Sequence, residues 1–474
     1  MLTRISTLIL RQFSPRAKTR QALFLTVAAL AGMALTLPPC ILAQGEMSSR
    51  PAQERHVLVI SVDGLGASLY DRLAAKIHIS NLPRLRREGS YAEGVVGVYP
   101  SVTYPSHTTI VTGRMPAEHG IYSNLSSRQP GKNPEDWFWF ASAIKAPTLW
   151  DEAHAHHLTS GAVFWPVTAG APVDWEVPEI WDPKKPLKID PAYIAKYATP
   201  GILFEALLEI GPPQPGQELD VTRSRLATFI LKKHKPNLLL VHLCDLDDQE
   251  HKFGPDSPQA ATTLEKIDGH IGELLAADQA AGLADSTDVF IVSDHGFLPV
   301  QAEIKPNVLF VKAGLLTADE KGNVTGGRID TVADDGSFFI YWPESEDLRS
   351  QVSEALKPLI DQGALWAVFD RAALRELAAE PAAQMALEAP SGYAFARGAA
   401  GDLLVKDNST TGTHGHLPFR RELVASFIAW GPDIRAGVDL HTIRMTEIAP
   451  TILKAMGIDD PKFGDEPPLT EIFK

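Results

Sequence analysis

Five short apolar runs punctuate the chain: HVLVISVDG (56–64), GAVFW (161–165), NLLLVHLCDLD (237–247), DVFIVSDHG (288–296) and VASFIAWG (424–431). Near-continuous apolar runs bounded by turn residues are the pattern of strands buried on both faces. Helical patterns lie between them, such as SPQAATTLEKIDGHIGELLAADQAAG (257–282). Strands alternating with helices predict an α/β fold with a doubly wound, mostly parallel central sheet. Three of the runs carry Asp where the strand should end: Asp63, then Asp245 and Asp247, then Asp294. In open α/β sheets that edge is where ligands bind.

Two segments break the pattern. Residues 316–400 carry GSFFIYWPESEDLRSQVSEALKPLI and an Ala/Glu-rich run, and are read as a small inserted cap or subdomain without an acidic strand end. At the N-terminus, Arg4, Arg11, Arg16, Lys18 and Arg20 precede ALFLTVAALAGMALTL, after which the chain turns polar. Basic, apolar and small-residue regions in that order are the pattern of a secretory signal. Residues 1–45 are therefore expected to direct export, to the periplasm or the extracellular space, with Ala43 and Gly45 at positions −3 and −1 of a cleavage site. The apolar run is short of the roughly 20 residues that span a bilayer; an uncleaved N-terminal anchor is the alternative, and the only membrane association expected. Residues 46–474 then form a single catalytic domain with Cys244 as its one cysteine, so no internal disulfide is expected.

Composition narrows the function. The 474 residues are 45% hydrophobic and carry a net charge of −14, which suits a sizeable core and argues against a general nucleic-acid binder. An anionic small substrate stays open, because bound metal ions invert local charge.

Four loops supply candidate chemistry. Asp63 follows the first strand; Asp294 and His295 follow the fourth; Asp247 and His251 in DLDDQEHKFGP are four apart, on one face of a helical turn; His414 lies among glycines in GTHGHLPF. Taken singly, each has a structural alternative: a turn former, a helix cap, a solvated acidic loop or a flexible loop with histidines. Together, six carboxylate and imidazole groups at one sheet edge divide into two three-ligand sites. Such mixed ligands suit zinc, with other divalent metals such as manganese or iron as alternatives. Two metals about 3.5–4 Å apart form a clamp for displacement at phosphorus. By contrast, AHAHH (153–157) and KKHKP (232–236) read as helix surface and solvated helix end, and the aromatics of DWFWFA and VFWPV as core or pocket wall.

The stretch YPSVTYPSHTTIVTG (99–113) sets the hydroxyls of Ser101, Thr103, Tyr104, Ser106, Thr108 and Thr109 at a helix start. In order with Asp-Gly, D…H before FGP, SDHGF and GTHGH, it resembles the alkaline phosphatase superfamily, and within it the type I phosphodiesterase/nucleotide pyrophosphatase family, over roughly 55–458. The tail MTEIAPTILKAMGI resembles that family's closing helix. The resemblance implies an alkaline-phosphatase-like fold and two zinc ions, one held by Asp63, Asp294, His295 and Thr103, the other by Asp247, His251 and His414. It makes Thr103 the nucleophile that forms a covalent phospho-threonine, and Asn124 the donor to a phosphate oxygen. Tyr104 takes the place of one substrate-stacking aromatic. His242 stands where the family's second stacking residue is usually Tyr, a departure that bears on nucleotide preference. Ser101, Thr108 and Thr109 are left to capping and packing, and Ser106 to the helix start.

The implied reaction is hydrolysis of a small phosphodiester or nucleotide pyrophosphate. A phosphomonoesterase is the near alternative, disfavoured because no basic residue adjoins the nucleophile in sequence. A non-catalytic binding protein and a phosphoryl-type transferase are the others. Substrate specificity is expected to rest on residues 166–200 and 316–400.

Overall fold

The computed structural model describes residues 50–126, 137–182, 190–214, 216–406 and 411–474. The proposed signal segment lies outside these residues. Among the described residues, no helix is long and apolar enough to cross a membrane.

The central sheet has eight strands, in the order Val438–Asp439, Ser90–Tyr91, Phe427–Trp430, Thr287–Val292, His56–Val62, Leu238–Leu243, Ser160–Val163, Trp175–Val177. His56–Val62 sits between Leu238–Leu243 and Thr287–Val292 and pairs parallel with both. Its side chains alternate between two apolar layers, as a strand's period of two requires. Leu58, Ile60 and Val62 pack on one face and Val57 and Val59 on the other. Helices cover both faces, among them Leu219–His234, Pro258–Ala281 and Ile448–Ala455. The fold is α/β with a mixed, mostly parallel sheet, as the apolar runs predict.

The fifth run is a correction. Phe427–Trp430 runs antiparallel to Thr287–Val292 and to Ser90–Tyr91. It enters the sheet directly from the loop that carries His414, at the edge where its neighbour ends, so it can only run backwards.

The region after Ile304 builds its own apolar cluster, from Ile304 through Phe338, Ile340, Val352 and Leu387 to Phe395. An antiparallel sheet, Asp330–Asp334, Ser337–Tyr341, Met385–Glu388 and Ala367–Asp370, makes up most of it. Here too one expectation fails. The hairpin between the first two strands ends in Asp334 and Asp335, and both line the pocket that also holds Asp63 and His414. An Asp-Gly pair between apolar runs reads as a turn, so its chemistry was invisible in one dimension.

Candidate active site

The site is built on the three central strands. Parallel register aligns Ser61 with His242 and with Val292, which brings the strand ends level and sets Asp63, the helix Asp245–Phe253 and Asp294 side by side. Gly64 makes the first turn, with φ +78°; a Cβ there would lie 2.6 Å from Glu250 Oε2. Its amide donates to Asp294 Oδ1 at 3.1 Å, which ties two strand ends together. Beyond Asp294 the chain enters Leu298–Ile304, whose first residue pairs with Thr413. That pairing carries His414 over His295, their rings stacked at 3.8 Å.

The hydroxyl-rich stretch forms the helix Thr103–Thr112, buried along its whole length and ended by Gly113 in the left-handed region. Its N-cap is Val102, with no side-chain cap. Ser101 is therefore not a cap: its hydroxyl donates to the His416 carbonyl at 2.7 Å, and its own carbonyl faces His414 Nδ1 at 3.0 Å. Thr108 and Thr112 donate back to the carbonyls of Tyr104 and Thr108. Thr103, the first helical residue, is 9% exposed and lines a pocket of about 440 Å³ together with Tyr104 and Asn124. Asn124 Oδ1 accepts from the Tyr104 amide at 2.8 Å, which leaves its amide nitrogen as the remaining donor group.

Two donor groups converge beside Thr103. In the first, donor atoms of Asp63, Asp294 and His295 lie within 4.8 Å of one another, all buried. His295 Nε2 is 3.1 Å from Asp294 Oδ2 and 3.5 Å from Asp63 Oδ1. In the second, His251 Nε2 is 3.6 Å from Asp247 Oδ2, as four-residue helical spacing allows, and 3.2 Å from His414 Nε2. His414 Nε2 is 3.8 Å from Asp247 Oδ1. Of the seven sequence-predicted ligand positions, Asp63, Thr103, Asp247, His251 and His414 line the pocket, and Asp294 and His295 lie buried directly behind them. Asp245 is excluded from them: it accepts from the Asp220 amide instead.

These groups fit divalent cations on their own chemistry. Asp63 Oδ1, Asp294 Oδ2, Asp247 Oδ1 and both ring nitrogens of His295 are buried without hydrogen-bond partners. Such orphaned groups are costly unless something else meets them. Burial first, then Asp247, pushes Asp63 well above the usual carboxylate range; burial and then Asp63 do the same to Asp294. Burial, His414 and His251 push His295 well below the usual imidazole range. A dication reverses that logic for both residue types. The second group is also oriented for a metal: His251 Nδ1 faces the Gly412 carbonyl at 3.1 Å, and His414 Nδ1 the Ser101 carbonyl. Carbonyls only accept, so both Nδ1 atoms carry protons, and in the neutral rings both Nε2 lone pairs point inward.

His242 lines the same pocket, with both ring edges engaged. It is 1% exposed, with Nε2 2.9 Å from Asp63 Oδ2 and Nδ1 2.8 Å from Glu179 Oε2. One ring face packs against His107 at 4.5 Å. Its two ring nitrogens thus bridge the carboxylates of Asp63 and Glu179. Tyr104 does border the pocket, edge-on to Trp137 at 5.4 Å.

Sequence reasoning missed several residues here. His107 spans from Ser61 Oγ (2.8 Å) to the Thr103 carbonyl (2.8 Å) and so locks the helix start to the first strand. Arg223 supplies a buried cation on the pocket wall, 3.4 Å from Glu179 and 3.6 Å from Asp220. Its distance from Thr103 in sequence hid it. Glu179, Ile180 and Trp181 from one expected specificity segment, and Asp334, Asp335 and Arg397 from the other, complete the lining.

Comparison with known proteins agrees with this geometry. The family model for type I phosphodiesterase / nucleotide pyrophosphatase matches residues 57–417. An uncharacterized pyrophosphatase/phosphodiesterase of Schizosaccharomyces pombe is 27% identical over 253 residues, 51% of this chain and 45% of that protein. Mouse ectonucleotide pyrophosphatase/phosphodiesterase family member 1 is 23% identical over 435 residues, 88% of this chain and 42% of that protein. The chain spans under half the length of these curated relatives. Among solved structures, human ectonucleotide pyrophosphatase/phosphodiesterase 5 superposes with a TM-score of 0.63 at 19% identity, over 89% of this chain and all of that one. An inactive murine form of the same protein in complex with AMP gives 0.64 at 18% identity, with the same coverage. The fold is shared with these structures, and the chain belongs to the type I phosphodiesterase/nucleotide pyrophosphatase family of the alkaline phosphatase superfamily.

Proposed function

We propose that the chain is an exported two-metal hydrolase of phosphodiester or pyrophosphate bonds, acting on small nucleotide-type substrates through a covalent phospho-threonine. The observation that carries this reading is that two donor groups, with orphaned buried oxygens and nitrogens, lie at the pocket lined by a helix-start threonine. Asp63, Asp294, His295 and Thr103 would hold one zinc ion, and Asp247, His251 and His414 the other. Bound there, the ions supply Lewis acidity, which lowers the pKa of an oxygen by several units and neutralises charge at phosphorus.

The chain's own residues do the rest. Thr103 Oγ1 attacks phosphorus, its proton passing to solvent; a threonine–phosphorus ester forms and the bond to the leaving alcohol or phosphate breaks. Water then attacks the same phosphorus and Thr103 Oγ1 departs. His107 fixes the Thr103 carbonyl and so the aim of the helix start. Asn124, anchored through Oδ1, donates its amide to a non-bridging oxygen as charge grows there. Tyr104 and Trp137 offer aromatic surface to a base. Export is supported by the N-terminal segment 1–45 and by relatives named as ectonucleotide enzymes. Residues 46–474 then act as one catalytic domain.

Comparing kcat/KM for a chromogenic phosphodiester and the matching monoester, with zinc-loaded and chelator-stripped enzyme, tests the reading. Diester preference that vanishes on stripping and returns with zinc is expected. A monoester preference transfers the chain to the phosphomonoesterases, and metal-independent diester cleavage overturns the two-metal site.

A further inference from the structure

The turn Asp335-Gly336, at the tip of the hairpin joining Asp330–Asp334 to Ser337–Tyr341, is pressed onto the loop that carries His414. The Gly336 amide donates to the His414 carbonyl at 2.9 Å. Gly415 crosses the turn so closely that a Cβ there would lie 2.1 Å from the Asp334 carbonyl oxygen. Asp335 itself sits at φ +54°, a left-handed conformation that a non-glycine residue holds only when its surroundings impose it. In that conformation Asp335 Oδ2 lies 3.7 Å from His414 Nε2, and donor atoms of His251, Asp335 and His414 all fall within 4.8 Å of one another.

We infer that Asp335 is a fourth protein donor to the metal ion held by Asp247, His251 and His414, an inference that rests on the two-metal reading above. Four donors at about 2.0–2.2 Å from a tetrahedral zinc stand roughly 3.3–3.6 Å apart. Four of the six separations here are 3.2, 3.6, 3.7 and 3.8 Å, with Asp247 facing His251 through Oδ2 and His414 through Oδ1. Two further observations point to a cation. The two Nε2 atoms face each other at 3.2 Å while both Nδ1 atoms donate to backbone carbonyls, so only a positive charge between them, a shared proton or a metal cation, holds them that close. Asp247 Oδ1 is buried with no hydrogen-bond partner. Asp335 is the exposed member: its side chain is 42% exposed, against 3% for His414. A donor on a hairpin tip at the pocket mouth can yield its place to a substrate oxygen, while the three donors on the helix and the His414 loop stay fixed.

The test uses the full chain and the variants Asp335→Asn, Asp335→Ala and Asp335→Gly. Metal affinity is read by competition with a chromogenic chelator, and coordination by the visible absorption of the cobalt(II)-loaded protein. Asp335→Gly removes the carboxylate yet accepts the left-handed φ, so its metal-free melting temperature should be no lower than that of the wild type. Expected are two ions bound by the wild type and, in Asp335→Ala and Asp335→Gly, one of them held roughly tenfold or more weakly, with a changed cobalt spectrum and the other site unaltered. Wild-type affinity and an unchanged spectrum in all three variants overturn the role of Asp335 alone. A wild type that binds no metal overturns the two-metal reading, and this inference with it.

Discussion

Thr103 is set apart from its hydroxyl neighbours by what surrounds it. Ser101, Thr108, Thr109 and Thr112 each spend their hydroxyl on a carbonyl or on His119, whereas Thr103 opens on the pocket. Thr103→Ala should lower diester turnover by about three orders of magnitude or more, the scale lost with a nucleophile, while leaving metal content unchanged at the second site; steady-state kinetics with metal analysis checks this. Residues whose chemistry follows from their place at a strand end, such as Asp63, Asp294 and His295, were legible in the sequence. His107, Glu179, Arg223 and Asp335 were not. A histidine inside a helix, a Glu after a short strand and an Asp before a Gly acquire their roles only from contacts dozens to hundreds of residues away. Glu176 is another such case. Burial raises its carboxyl to about 8, against hydrogen bonds from Thr168 and Gly170 that lower it. A raised folded pKa means stability that is full below the unfolded value near 4.5 and is lost as pH rises through about 8. Glu176→Gln should therefore change the melting temperature little at pH 4, raise it increasingly between about pH 4.5 and pH 8, and give a constant gain above that; a gain that first appears above pH 8 would contradict this account.

At the scale of elements, the apolar runs located the strands well because burial on both faces leaves them nearly devoid of polar residues. They carry no sign of direction, so the antiparallel course of Phe427–Trp430 is not readable from its apolar run. They also could not show that the strand after His295 pairs with the residue before His414, the contact that joins the two ligand loops. That junction depends on backbones meeting at close range. Gly415, with φ +75° and the Asp334 carbonyl against it, has no room for a side chain. Gly415→Ala should cost about 2 kcal/mol or more of unfolding free energy, from backbone strain and displacement together. It should also weaken metal binding at the Asp247, His251 and His414 group, since the loop must shift. Urea denaturation alongside chelator competition would show both.

For the whole molecule, the charge pattern implies that metal and fold stabilise each other. Three carboxylates and three histidines crowd one sheet edge, and several of their atoms are buried without partners. Ions that bind only the folded chain add about 2.7 kcal/mol per site at a hundredfold excess over Kd. Chelation should accordingly lower the melting temperature by several degrees, and zinc should restore it in a concentration-dependent way. The central claim, that phosphorus passes through Thr103, predicts two successive in-line displacements. The most direct measurement is the stereochemical course of hydrolysis of a diester made chiral at phosphorus by sulfur and an oxygen isotope. Two displacements give net retention of configuration, which this account predicts; inversion, the mark of a single direct attack by water, would contradict it.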